Sequence, residues 1–103
     1  MSTINKLAAT IAARATASPD SSYTAKLLHD GIEKCAKKFG EEAFELALAA
    51  ASKDKAHTAQ EAADVIYHLL VLLQASGVSL AEVETVLATR EAQSGLEEKA
   101  SRG

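Results

Sequence analysis

Five carboxylates stand in two short runs, Glu41, Glu42 and Glu45 and then Glu61 and Asp64. Glu42-x-x-Glu45 and Glu61-x-x-Asp64 both lie in strongly helical surroundings, and residues three apart on a helix share a face. Each pair therefore projects two carboxylates the same way. Two such helices packed side by side would gather all five into a cage of oxygen donors, which suits a hard divalent cation. Mg²⁺ keeps part of its water shell and takes phosphate oxygens as further ligands, so the chemistry expected of this cage is Mg²⁺-dependent handling of phosphates.

The bland alternative for each pair is a solvated helix face. Two features weigh against it. Glu61 and Asp64 sit among Ala59, Ala62, Ala63, Val65 and Ile66, where a buried carboxylate is costly unless a cation or hydrogen bonds compensate. On the other run, Glu41 and Glu45 are like charges four apart and Glu42 and Glu45 three apart, each repelling by about 0.2–0.5 kcal/mol on an isolated helix. A chain selected for stability alone avoids such stacking.

Lys37 and Lys38 precede Glu41 and Glu42 by four residues. That spacing allows surface ion pairs in the weaker Lys-before-Glu order, or a cationic strip that neutralises substrate phosphate and extends one turn back to Lys34. Tyr67 and His68, three and four residues beyond Asp64, are within reach of that carboxylate and would orient it from behind. A satisfied core histidine is the alternative for His68. Neither acidic run carries the Glu-x-x-His partner of di-iron bundle oxidases, and His29 and His57 read as isolated, which disfavours redox iron chemistry. With no Gly-rich phosphate loop and no convincing Ser-His-Asp or Cys-His set, covalent catalysis has no nucleophile. Metal-activated water remains as the attacking group.

The elements that must position these residues are helical. Hydrophobic residues make up 48% of the chain, mostly Ala and Leu, with two Phe, two Tyr and no Trp, which favours closely packed helices over a sheet sandwich. The periodicity predicts a first helix over 3–16 with Thr3 as N-cap, a Ser18-Pro19-Asp20-Ser21 connection, and a second helix from Ser22 to about Ala51 kinked at Gly31. Gly40, just before Glu41, is read as a place where substrate or a neighbouring helix approaches closely. A third helix runs from about Asp54 to Ser76 and ends on Gly77, and a fourth is capped by Ser79, with Leu80, Val83, Val86 and Leu87 packing back. The expected architecture is an all-α antiparallel bundle of about four helices in one domain over 1–93, followed by a charged tail over 94–103.

From Val65 to Leu73 the third helix is apolar around most of its circumference, so it needs cover on more than one side. A chain of 103 residues has a marginal core. The third helix is accordingly expected at the centre of a homodimer interface. The formal charge of −3 gives no basic field for nucleic acid or an anionic membrane. Cys35 is alone, reads as a small buried hydrophobe, and suits a reducing cytoplasm. The acid-free first nineteen residues superficially resemble a transit peptide, but Ile4, Leu7, Ala8, Ile11 and Ala12 follow a helical repeat and Arg14 ends the run, so they read as a structural helix.

Three stretches taken together resemble one family closely: Ser22-Tyr23-Thr24-Ala25-Lys26-Leu27-Leu28; Lys37-Lys38-Phe39-Gly40-Glu41-Glu42 with Glu45; and Glu61-Ala62-Ala63-Asp64 followed by Tyr67-His68-Leu69-Leu70-Val71-Leu72-Leu73. The chain is similar over nearly its whole length to the phosphoribosyl-ATP pyrophosphohydrolases of histidine biosynthesis. More broadly, Glu-Glu-x-x-Glu followed by Glu-x-x-Asp resembles the signature of the all-α, MazG-like nucleoside triphosphate pyrophosphatases. The resemblance implies a cytoplasmic, homodimeric, Mg²⁺-dependent hydrolase of 1-(5-phosphoribosyl)-ATP that yields 1-(5-phosphoribosyl)-AMP and pyrophosphate. It implies that Glu42, Glu45, Glu61 and Asp64 hold the metal, that Glu41 orients the attacking water, and that Glu41 or Glu42 accepts its proton. The ending Ser94-Gly95-Leu96-Glu97-Glu98-Lys99-Ala100-Ser101-Arg102 is similar to that of some members, which makes Lys99 and Arg102 candidate phosphate contacts beside Lys37 and Lys38. Two rival expectations are a house-cleaning pyrophosphatase of noncanonical nucleoside triphosphates, which shares the metal motif, and a non-catalytic helical interaction module.

Overall fold

Ser2, Ser22, Asp54 and Ser79 each stand in extended backbone just before a helix and accept a hydrogen bond from the backbone N–H three residues on. Such side chains satisfy one of the donors that every helix start leaves unpaired, and each contributes about 1 kcal/mol. At Ser79 the arrangement is reciprocal: Glu82 N–H donates to the Ser79 hydroxyl and Ser79 N–H donates to the Glu82 carboxylate, both at 3.1 Å. In the computed structural model, which describes residues 2–92, these caps open four of five helices. They are α1 (Thr3–Arg14), α2 (Tyr23–Asp30), α3 (Ile32–Ala51), α4 (Lys55–Ser76) and α5 (Leu80–Glu91). No strand occurs among the described residues, so the all-α expectation holds.

The helix predicted from Ser22 to Ala51 is two helices, not one kinked one. Gly31 has φ 103° and ψ 170°, a conformation essentially confined to glycine, so it ends α2 and starts α3 instead of bending a continuous ladder. Gly40, by contrast, stays inside α3 and interrupts nothing. The first helix is capped by Ser2, not Thr3, and ends at Arg14. Gly77 closes α4 in the left-handed conformation expected of it.

Ile11 of α1, Leu27 of α2, Cys35 of α3, and Leu70 and Val71 of α4 form the buried core. Burying such aliphatic side chains stabilises by about 1.5–3 kcal/mol each. Cys35 is 1% exposed and donates its thiol hydrogen to the Leu27 carbonyl across the α2–α3 break, 3.3 Å away. Burial, reinforced by the charge of Asp30, pushes its pKa up, so it packs as a neutral small hydrophobe.

The apolar belt of α4 is covered more fully within one chain than the sequence suggests. Leu70 and Val71 are buried, and Val65, Ile66, Leu69, Leu72 and Leu73 are half-buried, because α1, α2 and α3 all pack on this helix. The large apolar residues left exposed lie elsewhere, notably Ile32, Phe44 and Leu48 on α3 and Val86 and Leu87 on α5. Val86 and Leu87 therefore do not pack back as predicted, whereas Leu80 does. No single helix among the described residues is long and apolar enough to cross a membrane.

Candidate active site

α3 and α4 are joined by only Ser52, Lys53 and Asp54. A link this short returns the second helix antiparallel beside the first. Lys53 takes a positive φ of 63° to make the turn, and the Ser52 hydroxyl donates to the Ala49 carbonyl at 2.8 Å. Ala49 is buried, its small side chain letting the two helices approach. The hairpin fixes the register of the acidic runs. Glu45 and Glu61 stand equally far from Lys53 along the chain, and so do Glu42 and Asp64, which brings both pairs to matching levels on adjacent helices.

The side chains follow that register. Glu42, Glu45 and Glu61 each offer a carboxylate oxygen, and the three oxygens lie within 4.8 Å of one another. Opposed ligands around Mg²⁺ are separated by about 4.2 Å, twice the usual ligand distance. Asp64 is not one of these three and is solvent-exposed, yet its charge acts on Glu42. The expected cost of burying a carboxylate therefore falls on Glu61, which is half-buried, and not on Asp64.

Crowding has an electrostatic signature. The Glu42 carboxyl is pushed above the ordinary carboxylate range by loss of hydration first, then by the Glu45 charge and a hydrogen bond with Glu45, then by Asp64 and Glu61. Glu61 adds a second sign: its Oε2 is buried and has no hydrogen-bond partner among the described residues. A buried carboxylate oxygen without a donor, beside like charges, is a group that a cation would satisfy. An all-oxygen donor set fits a hard divalent ion.

The remaining candidates surround this cluster unevenly. Glu41 points its Oε2 at Lys38 Nζ, 3.4 Å away, at the edge of the cluster. Lys38 has its pKa raised by Tyr23, then by Glu41 and Glu42, while Lys37 is exposed on the same helix. His68 is buried, 6% exposed, with its ring edge-on to Tyr67 at 4.9 Å and to Tyr23 at 6.3 Å. Desolvation, then the Lys38 charge, holds its pKa down, against the pull of Asp64 and Glu41. It is therefore a neutral imidazole, and its Nδ1 lacks a partner among the described residues. The Tyr67 hydroxyl shares a hydrogen bond with the Thr24 hydroxyl and so ties α2 to α4. Lys99 and Arg102 lie outside the described residues.

One residue was missed. His57, read from sequence as isolated, places Nε2 3.1 Å from Glu61 Oε1. The signal was present in the spacing His57-x-x-x-Glu61, which puts the two on one face of α4. With Glu45, Leu48, Ala49 and Ser52, this pair lines a hollow of about 430 Å³ beside the cluster.

Comparison with known proteins identifies the family. Residues 4–91 match the family model described as phosphoribosyl-ATP pyrophosphohydrolase. The chain is 59% identical to a phosphoribosyl-ATP pyrophosphatase of Cereibacter sphaeroides over 100% of both chains. It is 60% identical to one of Dinoroseobacter shibae over 99% of this chain and 100% of the relative. A third relative, phosphoribosyl-ATP pyrophosphatase 1 of Rhodopseudomonas palustris, is 58% identical over 97% of this chain and 94% of its own. With similarity running through every helix that builds the acidic hairpin, the chain belongs to the phosphoribosyl-ATP pyrophosphohydrolase family.

Proposed function

We propose that this chain hydrolyses 1-(5-phosphoribosyl)-ATP to 1-(5-phosphoribosyl)-AMP and pyrophosphate, the second step of histidine biosynthesis, with Mg²⁺ as cofactor. The observation that carries the reading is the convergence of Glu42, Glu45 and Glu61 within 4.8 Å on a chain of this family. Glu42, Glu45, Glu61 and Asp64 hold the cation. Bound there, Mg²⁺ offsets the negative charge of the phosphate oxygens and of the departing pyrophosphate.

The chain's own groups do the rest. Glu41 or Glu42 accepts the proton of the water that attacks the α-phosphorus. Lys37 and Lys38, one turn before the acids, balance triphosphate charge, with Lys99 and Arg102 as further phosphate contacts. Tyr67 and His68 stand behind Asp64 on α4, and the Tyr67–Thr24 bond keeps that side of the helix fixed. The enzyme works in the cytoplasm as a homodimer of an all-α antiparallel bundle, whose second copy completes the substrate groove. It takes a small nucleotide and no nucleic acid or membrane, residues 1–93 forming the catalytic domain and 94–103 a charged tail.

The deciding experiment is turnover of phosphoribosyl-ATP with and without Mg²⁺, with mass identification of the products. Phosphoribosyl-AMP and pyrophosphate are expected only when the metal is present. Faster pyrophosphate release from free nucleoside triphosphates than from phosphoribosyl-ATP would overturn the substrate assignment in favour of a house-cleaning role. Glu42→Gln and Asp64→Asn are each expected to abolish release while leaving the helical content unchanged, and near-normal turnover in either variant would refute its assigned role.

A further inference from the structure

His57 has no place in the chemistry described so far, yet its ring hydrogen-bonds a carboxylate of the acidic cluster from one turn earlier on α4. Its ring is 51% exposed, whereas the Glu61 side chain it meets is 15% exposed. Its own backbone N–H donates to Asp54 Oδ1 at 3.0 Å, so the ring rises from a capped, ordered first turn of α4. Glu61 is thereby divided: Oε1 is held by the imidazole, and Oε2 is buried without a partner among the described residues. A pair of this spacing made only for helix stability contributes little. Leaving the second oxygen buried and unsatisfied would moreover cost more than the pair returns.

We propose that His57 is a positioning residue for the metal centre: its Nε2–H holds Glu61 Oε1 and presents Oε2 as the single oxygen Glu61 gives to the cation. The proposal rests on the reading above that Glu61 is a metal ligand, and it goes beyond that reading by assigning the group that orients the ligand. The same hydrogen bond occupies Nε2 and so keeps that imidazole nitrogen out of the donor set, which stays all-oxygen and suited to a hard ion. Groups that hydrogen-bond ligating side chains typically contribute about 10–100-fold in metal affinity.

The test is calorimetric titration of Mn²⁺, without substrate, into the unaltered chain, His57→Ala and His57→Gln, with far-UV circular dichroism to verify the fold. His57→Ala is expected to weaken Mn²⁺ binding by about 10-fold or more. His57→Gln, whose amide N–H can reach the same oxygen, is expected to recover most of that loss. In turnover, the alanine variant is expected to need more metal for half-maximal rate while keeping kcat at saturating metal. Tight Mn²⁺ binding that is unchanged in His57→Ala overturns the proposal alone, as does a glutamine variant no better than alanine. If the unaltered chain takes up no Mn²⁺, the metal reading itself fails and this proposal falls with it.

Discussion

Glu42 shows how a carboxylate behaves when hydration is lost and like charges crowd it. Its folded-state pKa is raised above the ordinary 4.5, so the folded chain binds a proton at pH values where the unfolded chain has already released it. Stability of the metal-free protein therefore rises as the pH falls through the raised value towards 4.5, and is lower above both values. Glu42→Gln removes this liability. In thermal melts without metal, the variant is expected to melt above the parent at neutral pH, with the gap closing on acidification below 4.5. Adding Mg²⁺ is expected to reverse the order, since a variant that lacks one carboxylate of the cluster should gain less binding energy than the parent. A gap independent of pH would show that the pKa of the Glu42 carboxyl is not raised in the fold. The depressed pKa of His68 acts in the opposite sense: the buried ring is neutral, and the stability that goes with it is lost as the pH drops below 6.5. At this scale the sequence disclosed the acids, since their spacing alone forces a shared helix face, but it did not separate half-buried Glu61 from exposed Asp64. That distinction depends on which side of α4 the neighbouring helices cover.

The elements turn on two glycines with opposite duties. Gly31 occupies φ 103° with open space around a would-be Cβ, so the cost of Gly31→Ala is a backbone cost, expected at about 1–3 kcal/mol by denaturant unfolding. Gly40 is helical with nothing within 4 Å of a Cβ. Gly40→Ala should therefore stabilise α3 by up to about 1 kcal/mol. If substrate uses the space in front of Gly40, the same variant raises KM for phosphoribosyl-ATP while unfolding later, a split that helix propensity alone cannot produce. The cap at Ser79 and the glycine stop at Gly77 were legible because each is a local hydrogen-bond requirement written in one residue, whereas the sequence marks Ser22 and Asp54 only as places where helices begin and points to Thr3 instead of Ser2 as the first cap. Gly31 was legible as a disturbance but not as a full break, since a glycine tolerates either outcome and tertiary packing of α2 on α4 selects the break. Where Val86 and Leu87 point was not legible, because an amphipathic pattern says that a face seeks cover and not what supplies it.

Among the described residues few large side chains are buried: one core cluster of Ile11, Leu27, Cys35, Leu70 and Val71 joins the first four helices, and α5 contributes no fully buried residue. A small chain with so limited a core gains from association. The exposed apolar residues of α3 offer one candidate face. Phe44 is 65% and Leu48 55% exposed, one turn apart on α3, and Leu48 also lines the hollow that Glu45, His57 and Glu61 share. A second copy seated on this face would cover the apolar pair and close the hollow beside the acidic cluster in one step, which would couple assembly to substrate binding. The apolar belt of α4, nominated from sequence as the interface centre, is largely covered by its own chain, which shifts the expected contact toward α3. Light scattering should therefore give twice the 10.8 kDa chain mass, and the melting temperature should rise with protein concentration, as mass action requires. Phe44→Asp buries a charge in that contact and is expected to give a monomer with a concentration-independent melt. Its KM for phosphoribosyl-ATP should rise while Mn²⁺ binding in the absence of substrate persists, because the three converging carboxylates belong to one chain. An unaltered chain that scatters as a monomer at every concentration yet turns over normally would show that one copy suffices and that the exposed α3 face has another purpose.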